Sequence, residues 1–187
     1  MKEQLDRLLA AYCSPTLAGI KSASLVACDR ALYPALSQHM REYRAAFQPR
    51  GYCFEVVCAC EKRCLLLVYH RQRLETQLTD ARAERLLRQF GYPVGQSLRE
   101  LLAHLRRRIA ACDSFPHEIG LFLGYPVEDV EGFIEHRGRG CKLTGYWKVY
   151  GDAEAASKRF DRIARVCRAV TTRVERGESL LHVFAAA

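Results

Sequence analysis

Cys53-Phe54-Glu55-Val56-Val57-Cys58-Ala59-Cys60, then Glu61-Lys62-Arg63, then Cys64-Leu65-Leu66-Leu67-Val68-Tyr69-His70, is the stretch that decides the fold. Both outer runs are rich in Val, Leu, Tyr and Phe, residues that fit a pleated, half-buried surface. The link between them is too short for a crossover to a parallel neighbour, so the pair predicts an antiparallel hairpin.

Upstream, Leu5, Leu8, Leu9 and Tyr12 mark one face of an N-terminal helix. Cys13-Ser14-Pro15-Thr16 is expected to break it, because proline biases the residue before it away from helix. A turn through Leu17–Lys21 and a strand at Ser24–Cys28 follow. Leu32–Phe47 reads as a helix, with Leu32, Leu36, Met40, Tyr43 and Phe47 at spacings of three and four. Gln48-Pro49-Arg50-Gly51 is a turn that delivers the chain to the hairpin.

Downstream, helical patterns around Leu74–Leu78 and Ala81–Phe90 stop at Gly91-Tyr92-Pro93. Ser97-Leu98-Arg99-Glu100 is a capping box opening a helix striped by Leu98, Leu101, Leu102, Leu105 and Ile109. Glu118–Leu123 reads as a buried strand. Pro126 suits the first turn of a helix faced by Val127, Val130, Phe133 and Ile134 and stopped by Gly138. Lys142–Tyr150 reads as a further strand, and Asp152 caps a last helix striped from Ala156 to Val174. Strand, helix and strand over Glu118–Tyr150 would form a crossover unit. The sum is an α+β fold: one domain over 1–187, with a mixed sheet of about five strands containing one hairpin, packed with about six helices.

The 187 residues are 49% hydrophobic and 27% charged, a globular composition that excludes disorder, collagen and coiled coil. Lys and Arg total 29 against 21 Asp and Glu, a net charge of +8. That balance permits nucleic acid, anionic surfaces or acidic ligands as partners and demands none of them. The densest basic run, Arg106-Arg107-Arg108, lies within helical periodicity and reads as a solvated helix face, so nucleic acid is the weakest reading. Met1–Tyr12 is charged and amphipathic, unlike a secretory leader, and no stretch reaches the roughly 18 apolar residues of a membrane span. With nine cysteines, the expectation is a cytoplasmic protein holding reduced thiols. Cys53, Cys58, Cys60 and Cys64 are separated by four, one and three residues, not the paired knuckles of structural zinc. They read as small core hydrophobes, with Cys58 and Cys60 on the same strand face as Phe54 and Val56. No metal site is expected; a metal or redox centre is the alternative.

Three segments could carry chemistry. Phe115-Pro116-His117-Glu118-Ile119-Gly120 sits at an element edge and holds an imidazole, a side chain able to serve as acid or base. Consecutive strand residues face opposite ways, so Glu118 is not expected to orient His117. Cys13 lies before Pro15, where free N–H groups or Lys21 could depress its pKa; with His117 it would make a nucleophile–base pair. Gly145-Tyr146-Trp147-Lys148-Val149-Tyr150 holds the single tryptophan beside a lysine, a pattern that could stack a base or flat cofactor. Each has an ordinary structural reading as well: a plain histidine, an inert thiol, a core aromatic. No P-loop, HExxH, GxSxG or dinucleotide fingerprint is present.

Two blocks carry a family resemblance: Cys13-Ser14-Pro15-Thr16-Leu17-Ala18-Gly19-Ile20-Lys21 with Ser24-Leu25, and Phe115-Pro116-His117-Glu118-Ile119-Gly120-Leu121-Phe122-Leu123-Gly124-Tyr125-Pro126 with Asp129-Val130, Gly132-Phe133-Ile134 and Gly145–Tyr150. Leu66–Tyr69 with Arg71, and Gly91-Tyr92, fit between them. Together they resemble the bacterial domain-of-unknown-function family numbered 3793. The resemblance maps shared motif positions onto Cys13, Lys21, His117, Glu118, Tyr125, Trp147 and Lys148. It implies no activity and no cofactor. Gene neighbourhoods that include ferrous-iron transport and flavodoxin suggest iron or redox homeostasis by association alone.

Two function classes follow. The preferred one is a non-catalytic accessory or binding protein. Its partner would be a small molecule or a protein, with Lys21, Glu118, Tyr125, Trp147 and Lys148 lining a site for an anionic or flat ligand. The alternative is an enzyme with Cys13 as nucleophile and His117 as base. The three segments are expected to meet, with Glu118 paired to Lys21 or Lys148 and His117 at the rim. If the cysteines are reduced core residues, thiol titration of the denatured chain will find nine free thiols; fewer would overturn that reading.

Overall fold

The computed structural model describes residues 2–29, 33–59, 63–111 and 115–185, with side chains throughout except at 33–36 and 63. Leu32, Cys60 and the Glu61-Lys62 link lie outside the described residues, and so does the side chain of Leu36. The chain divides into two compact units, Met1–Gln72 with Ile163–Ala187, and Arg73–Arg162.

The first unit is organised by the hairpin. β2 (Tyr52–Ala59) and β3 (Arg63–His70) pair antiparallel as their composition predicts, and β1 (Ala23–Asp29) pairs antiparallel with the other edge of β3. The strand order is therefore β1-β3-β2, with β3 in the centre and buried from Cys64 to Tyr69. A central strand has no face left for water, which is why β3 is a continuous apolar run rather than an alternating one. Val57 is an extra residue bulged between the Val56 and Cys58 pairings, and it is Val57, not Cys58, that is buried. The bulge shifts the pleat by one position and so corrects the parity expected for Cys58.

One face of this sheet carries Val26, Cys28, Phe54, Cys64, Leu66 and Val68 into a core shared with four helices. These are α1 (Lys2–Leu17), α2 (Tyr33–Phe47), the last turns of α8 (Ala153–Glu175) through Val170 and Val174, and the short C-terminal α9 (Leu180–Ala185). Met40, Tyr43 and Phe47 supply the buried stripe of α2. α1 does not break at Pro15: the proline lies inside the helix, and the end comes after Leu17. Gly19, at φ +73°, forms the stop. Its N–H bonds to the Thr16 carbonyl at 2.9 Å and the Ile20 N–H to the Pro15 carbonyl at 2.8 Å, a Schellman closure that favours glycine. Polar groups buried at this end are paired. Thr16 and Ser24 hydroxyls meet at 2.8 Å, the Tyr52 hydroxyl donates to the Leu17 carbonyl at 3.0 Å, and the Tyr43 hydroxyl donates to Asp6.

The second unit is mostly helical. α3 (Arg71–Leu78) enters it, and α4 (Ala81–Gln89) begins at Asp80, whose carboxylate accepts from the Arg82 and Ala83 N–H groups. α5 (Leu98–Ala111) opens on the expected capping box: Glu100 reaches back to the Ser97 N–H at 2.9 Å, and the Ser97 hydroxyl donates to the same carboxylate at 2.7 Å. α7 (Val127–Glu135) starts after Pro126. α8 (Ala153–Glu175) starts at Asp152, which accepts from the Ala155 N–H at 3.0 Å, and has residues in both units.

The α+β class stands, but the single mixed sheet does not. Among the described residues five strands form two antiparallel sheets, one of three strands and one of two. Glu118–Leu123 is no strand; α6 (Ile119–Phe122) is a single helical turn there. A short apolar run carries no periodicity to separate strand from helix. Gly120 makes the turn compatible with its neighbour, since a Cβ there would lie 2.8 Å from Val130 Cγ2 of α7. Lys142–Tyr150 is not one strand but a small hairpin, β4 (Leu143–Thr144) and β5 (Lys148–Val149), with Gly145-Tyr146-Trp147 at its tip. The expected crossover unit is therefore absent. Among the described residues there are nine α-helices rather than about six, because α6 and α9 are too short to show a stripe and because α3 and α4, like α6 and α7, are separate short pieces.

All seven described cysteines are free, and Cys13, Cys28 and Cys64 lie in the core of the first unit. Cys28 sits opposite Cys64 across β1 and β3. Burial pushes the Cys13 and Cys167 thiols up, and pushes Cys28 up to about 11, with Cys64 adding to the Cys28 shift. An unfolded thiol ionises near 8.5. A raised native pKa therefore contributes stability that is full below about pH 8.5 and is lost as the pH rises through about 11. The urea midpoint should fall between pH 8 and pH 10.5, and Cys28→Val should flatten part of that fall. An unchanged slope in the variant would contradict this account.

Candidate functional site

Three segments of the second unit wall one cavity of about 440 Å³. Phe115-Pro116-His117 comes from the approach to α6, Tyr125 from the turn between α6 and α7, and Thr144, Gly145, Trp147 and Lys148 from the β4–β5 hairpin. Small-molecule sites run from roughly 300 to 1,000 Å³ and are mostly apolar with a few placed polar groups. This one is walled by aromatic rings and by Ile119, Leu123 and Val130, and its polar lining is His117, Asp129, Thr144 and Lys148.

Asp129 fixes the architecture. It lies in the first turn of α7, where the helix dipole favours an anion, and it is buried. Its Oδ2 accepts from the Trp147 indole N–H at 2.7 Å. Its Oδ1 accepts from the Tyr150 and Gly151 backbone N–H groups at 2.7 and 2.8 Å. One carboxylate thus ties the hairpin to α7 and sets the angle of the indole.

Trp147 in turn organises a cluster of rings. Tyr125 stacks on it at 4.9 Å between centroids and 25° between planes, and Phe160 of α8 meets it edge-on at 4.5 Å. The Arg159 guanidinium lies 5.3 Å from the indole centroid and donates to the Gly124 carbonyl at 3.0 Å. Burial and the neighbouring Arg162 push the Arg159 pKa below its ordinary value. Gln77 of α3 donates to the Tyr125 carbonyl at 3.1 Å, and burial pushes the Tyr125 phenol up, so it stays protonated. The stack is thus held by residues of α3, α7 and α8.

The cationic groups sit by Phe133. The half-buried Lys148 donates to the Gly138 carbonyl at 2.6 Å, with its ammonium 6.0 Å from the Phe133 centroid. The exposed His117 packs edge-on against the same ring at 5.0 Å.

Glu118 is not at this cavity. It is fully buried, and its Oε1 accepts from Arg108 Nε at 2.9 Å and from the Tyr92 hydroxyl at 3.1 Å. The expected pairing with Lys21 or Lys148 is replaced by an ion pair to α5, because Arg108 is drawn inward along the Phe90 ring, 5.3 Å from its centroid. Arg108 is thus no solvated charge, although Arg107 is exposed. His117 and Glu118 do face opposite ways, on a turn rather than a strand.

The structure brings His117, Tyr125, Trp147 and Lys148 together. Cys13 and Lys21 belong to the first unit. The Cys13 thiol is fully enclosed; Lys21 lowers its pKa, but desolvation outweighs that effect. Among the described residues no group of three or more His, Cys, Asp or Glu could hold a metal ion, and no helix is long and apolar enough to cross a membrane. Asp129, Phe133 and Phe160 were not singled out from the sequence as site residues. The acid just after Pro126 was a visible cue, but its three donors lie 18 to 22 residues along the chain.

Fold and cavity define an α+β protein whose second unit carries an aromatic-walled cavity of about 440 Å³. The chain belongs to the family described as Protein of unknown function (DUF3793), whose model matches residues 9–184 of 187. No curated protein and no solved structure matches it.

In Asp129→Asn, either amide orientation sets an NH₂ against an N–H donor. Losing hydrogen bonds to a buried carboxylate should cost about 2 kcal/mol or more. A lowered denaturation midpoint with shifted Trp147 emission is expected; wild-type values in both would refute the role given to Asp129.

Proposed function

We propose that the second unit is a non-catalytic binding module for a flat, largely apolar small molecule. The observation that carries this reading is the Tyr125–Trp147 stack at the wall of a cavity of about 440 Å³. A ring face that is already oriented costs a ligand little ordering, and aromatic contact adds to area burial. Phe115 and Tyr146 remain 37% and 45% exposed, and both belong to segments that build the cavity. Apolar surface of that kind, left at the rim of a pocket, favours a site that something covers.

The acids nearby favour binding over turnover. Both Asp129 oxygens are engaged by donors, and Glu118 is buried against Arg108 and Tyr92 through Oε1, on the side away from the exposed His117, so neither is poised to move a proton for His117. The fully enclosed Cys13 suits a core position better than nucleophilic attack. A cytoplasmic setting is supported by the free thiols. A link to iron or redox homeostasis enters through family association only.

The neutral fluorophore N-phenyl-1-naphthylamine tests the reading. Its emission should rise saturably on binding the native chain, and Leu123→Trp, which adds bulk to the cavity lining and keeps Tyr125 and Trp147 themselves, should weaken binding at least tenfold. Absence of saturable binding, or equal binding by the variant, would overturn the proposal.

A further inference from the structure

The cavity lining combines two unlike groups of residues. Tyr125 and Trp147 form an aromatic wall, while Lys148 and His117 flank Phe133. Three charged or titratable side chains line it: His117, Asp129 and Lys148. The acid is already committed, because both Asp129 oxygens are occupied by N–H donors at 2.7 to 2.8 Å. Lys148 is not committed to the same degree. An ammonium has three donors. Among the described residues Lys148 uses one, on the neutral Gly138 carbonyl, and makes no ion pair. The other charged lining group is thus neutralised, and a half-buried cation has hydrogen-bonding capacity left beside an apolar cavity.

We infer that the ligand is an aromatic carboxylate: a flat ring system seated against Tyr125 and Trp147, with its anionic group received by Lys148. The inference rests on the small-molecule reading above and adds the sign and place of the ligand's charge. Phe133 belongs to the same arrangement, since its ring holds both Lys148 and His117. A cationic ligand would meet the ammonium with no acid free to receive it. A neutral flat ligand would satisfy the rings and leave the remaining ammonium donors without a partner. A charge-assisted hydrogen bond is about twice as strong as a neutral one, so the carboxylate gains over an isosteric amide.

The experiment compares 2-naphthoate with 2-naphthamide, which share one shape and differ in charge. Trp147 is the single tryptophan, so its indole N–H gives one isolated nuclear magnetic resonance reporter in the wall of the cavity. Wild-type chain should shift that resonance with both compounds and bind the carboxylate about tenfold more tightly. Lys148→Met, which keeps the apolar stem, should bring the two within about threefold; Lys148→Arg should keep the preference. Equal binding of the two by wild type, or a preference untouched by Lys148→Met, would overturn the inference and leave the small-molecule reading standing. Failure of both compounds to shift the indole would overturn the two together. The wild-type comparison decides the question even if Lys148→Met does not fold.

Discussion

A carboxylate taken out of water is tolerated only where donors replace the lost hydration. At Asp129 those donors are one indole and two backbone amides, all supplied by a hairpin with only two residues in each strand. Such a hairpin has little stability of its own. Its position depends on the acid at the start of α7, and the acid's burial depends on the hairpin. Each makes the other possible, and the cavity wall is the product. Tyr125, Phe160 and Arg159 then pack about an indole whose direction is already set.

The first unit solves a different problem. Its central strand β3 is apolar along its length, so both neighbours must pair with it and helices must cover the shared core. Small, weakly polar thiols suit this setting: Cys28 and Cys64 face each other across the sheet without the volume of a leucine pair. The same burial that makes Cys28 and Cys13 good packing residues raises their pKa and holds them protonated. For these two, close packing and low thiol reactivity have one cause.

What could be read in advance follows the range of the interactions involved. The β2–β3 hairpin, the α2 stripe, the Ser97–Glu100 box and the Asp152 cap are decided within a few residues, and each is where the sequence puts it. Pro15 misleads because the local bias against helix is outweighed by packing of α1 on the sheet, and the closure waits for Gly19. Glu118–Leu123 and Lys142–Tyr150 mislead because short apolar runs carry no period, and tertiary contacts choose their form. Of the site, His117, Tyr125, Trp147 and Lys148 were visible as residues that periodicity did not explain. Asp129 and Phe160 were not, since the donors that define Asp129 lie 18 to 22 residues along the chain and Phe160 falls within the stripe of the last helix.

Glu118 shows how neighbouring residues can take separate tasks. His117 faces outward at the cavity mouth, while Glu118, one residue on, is buried against Arg108 and Tyr92. The pair anchors the Phe115–His117 approach to α5 at the point where it becomes cavity wall. Removing one partner of a buried ion pair is far costlier than never having had the pair. That division agrees with the expectation that Glu118 does not orient His117: the two act as strut and rim in space. It also leaves Lys148, at the cavity, donating only to the neutral Gly138 carbonyl among the described residues, and this is the group on which the proposed charge of a ligand rests.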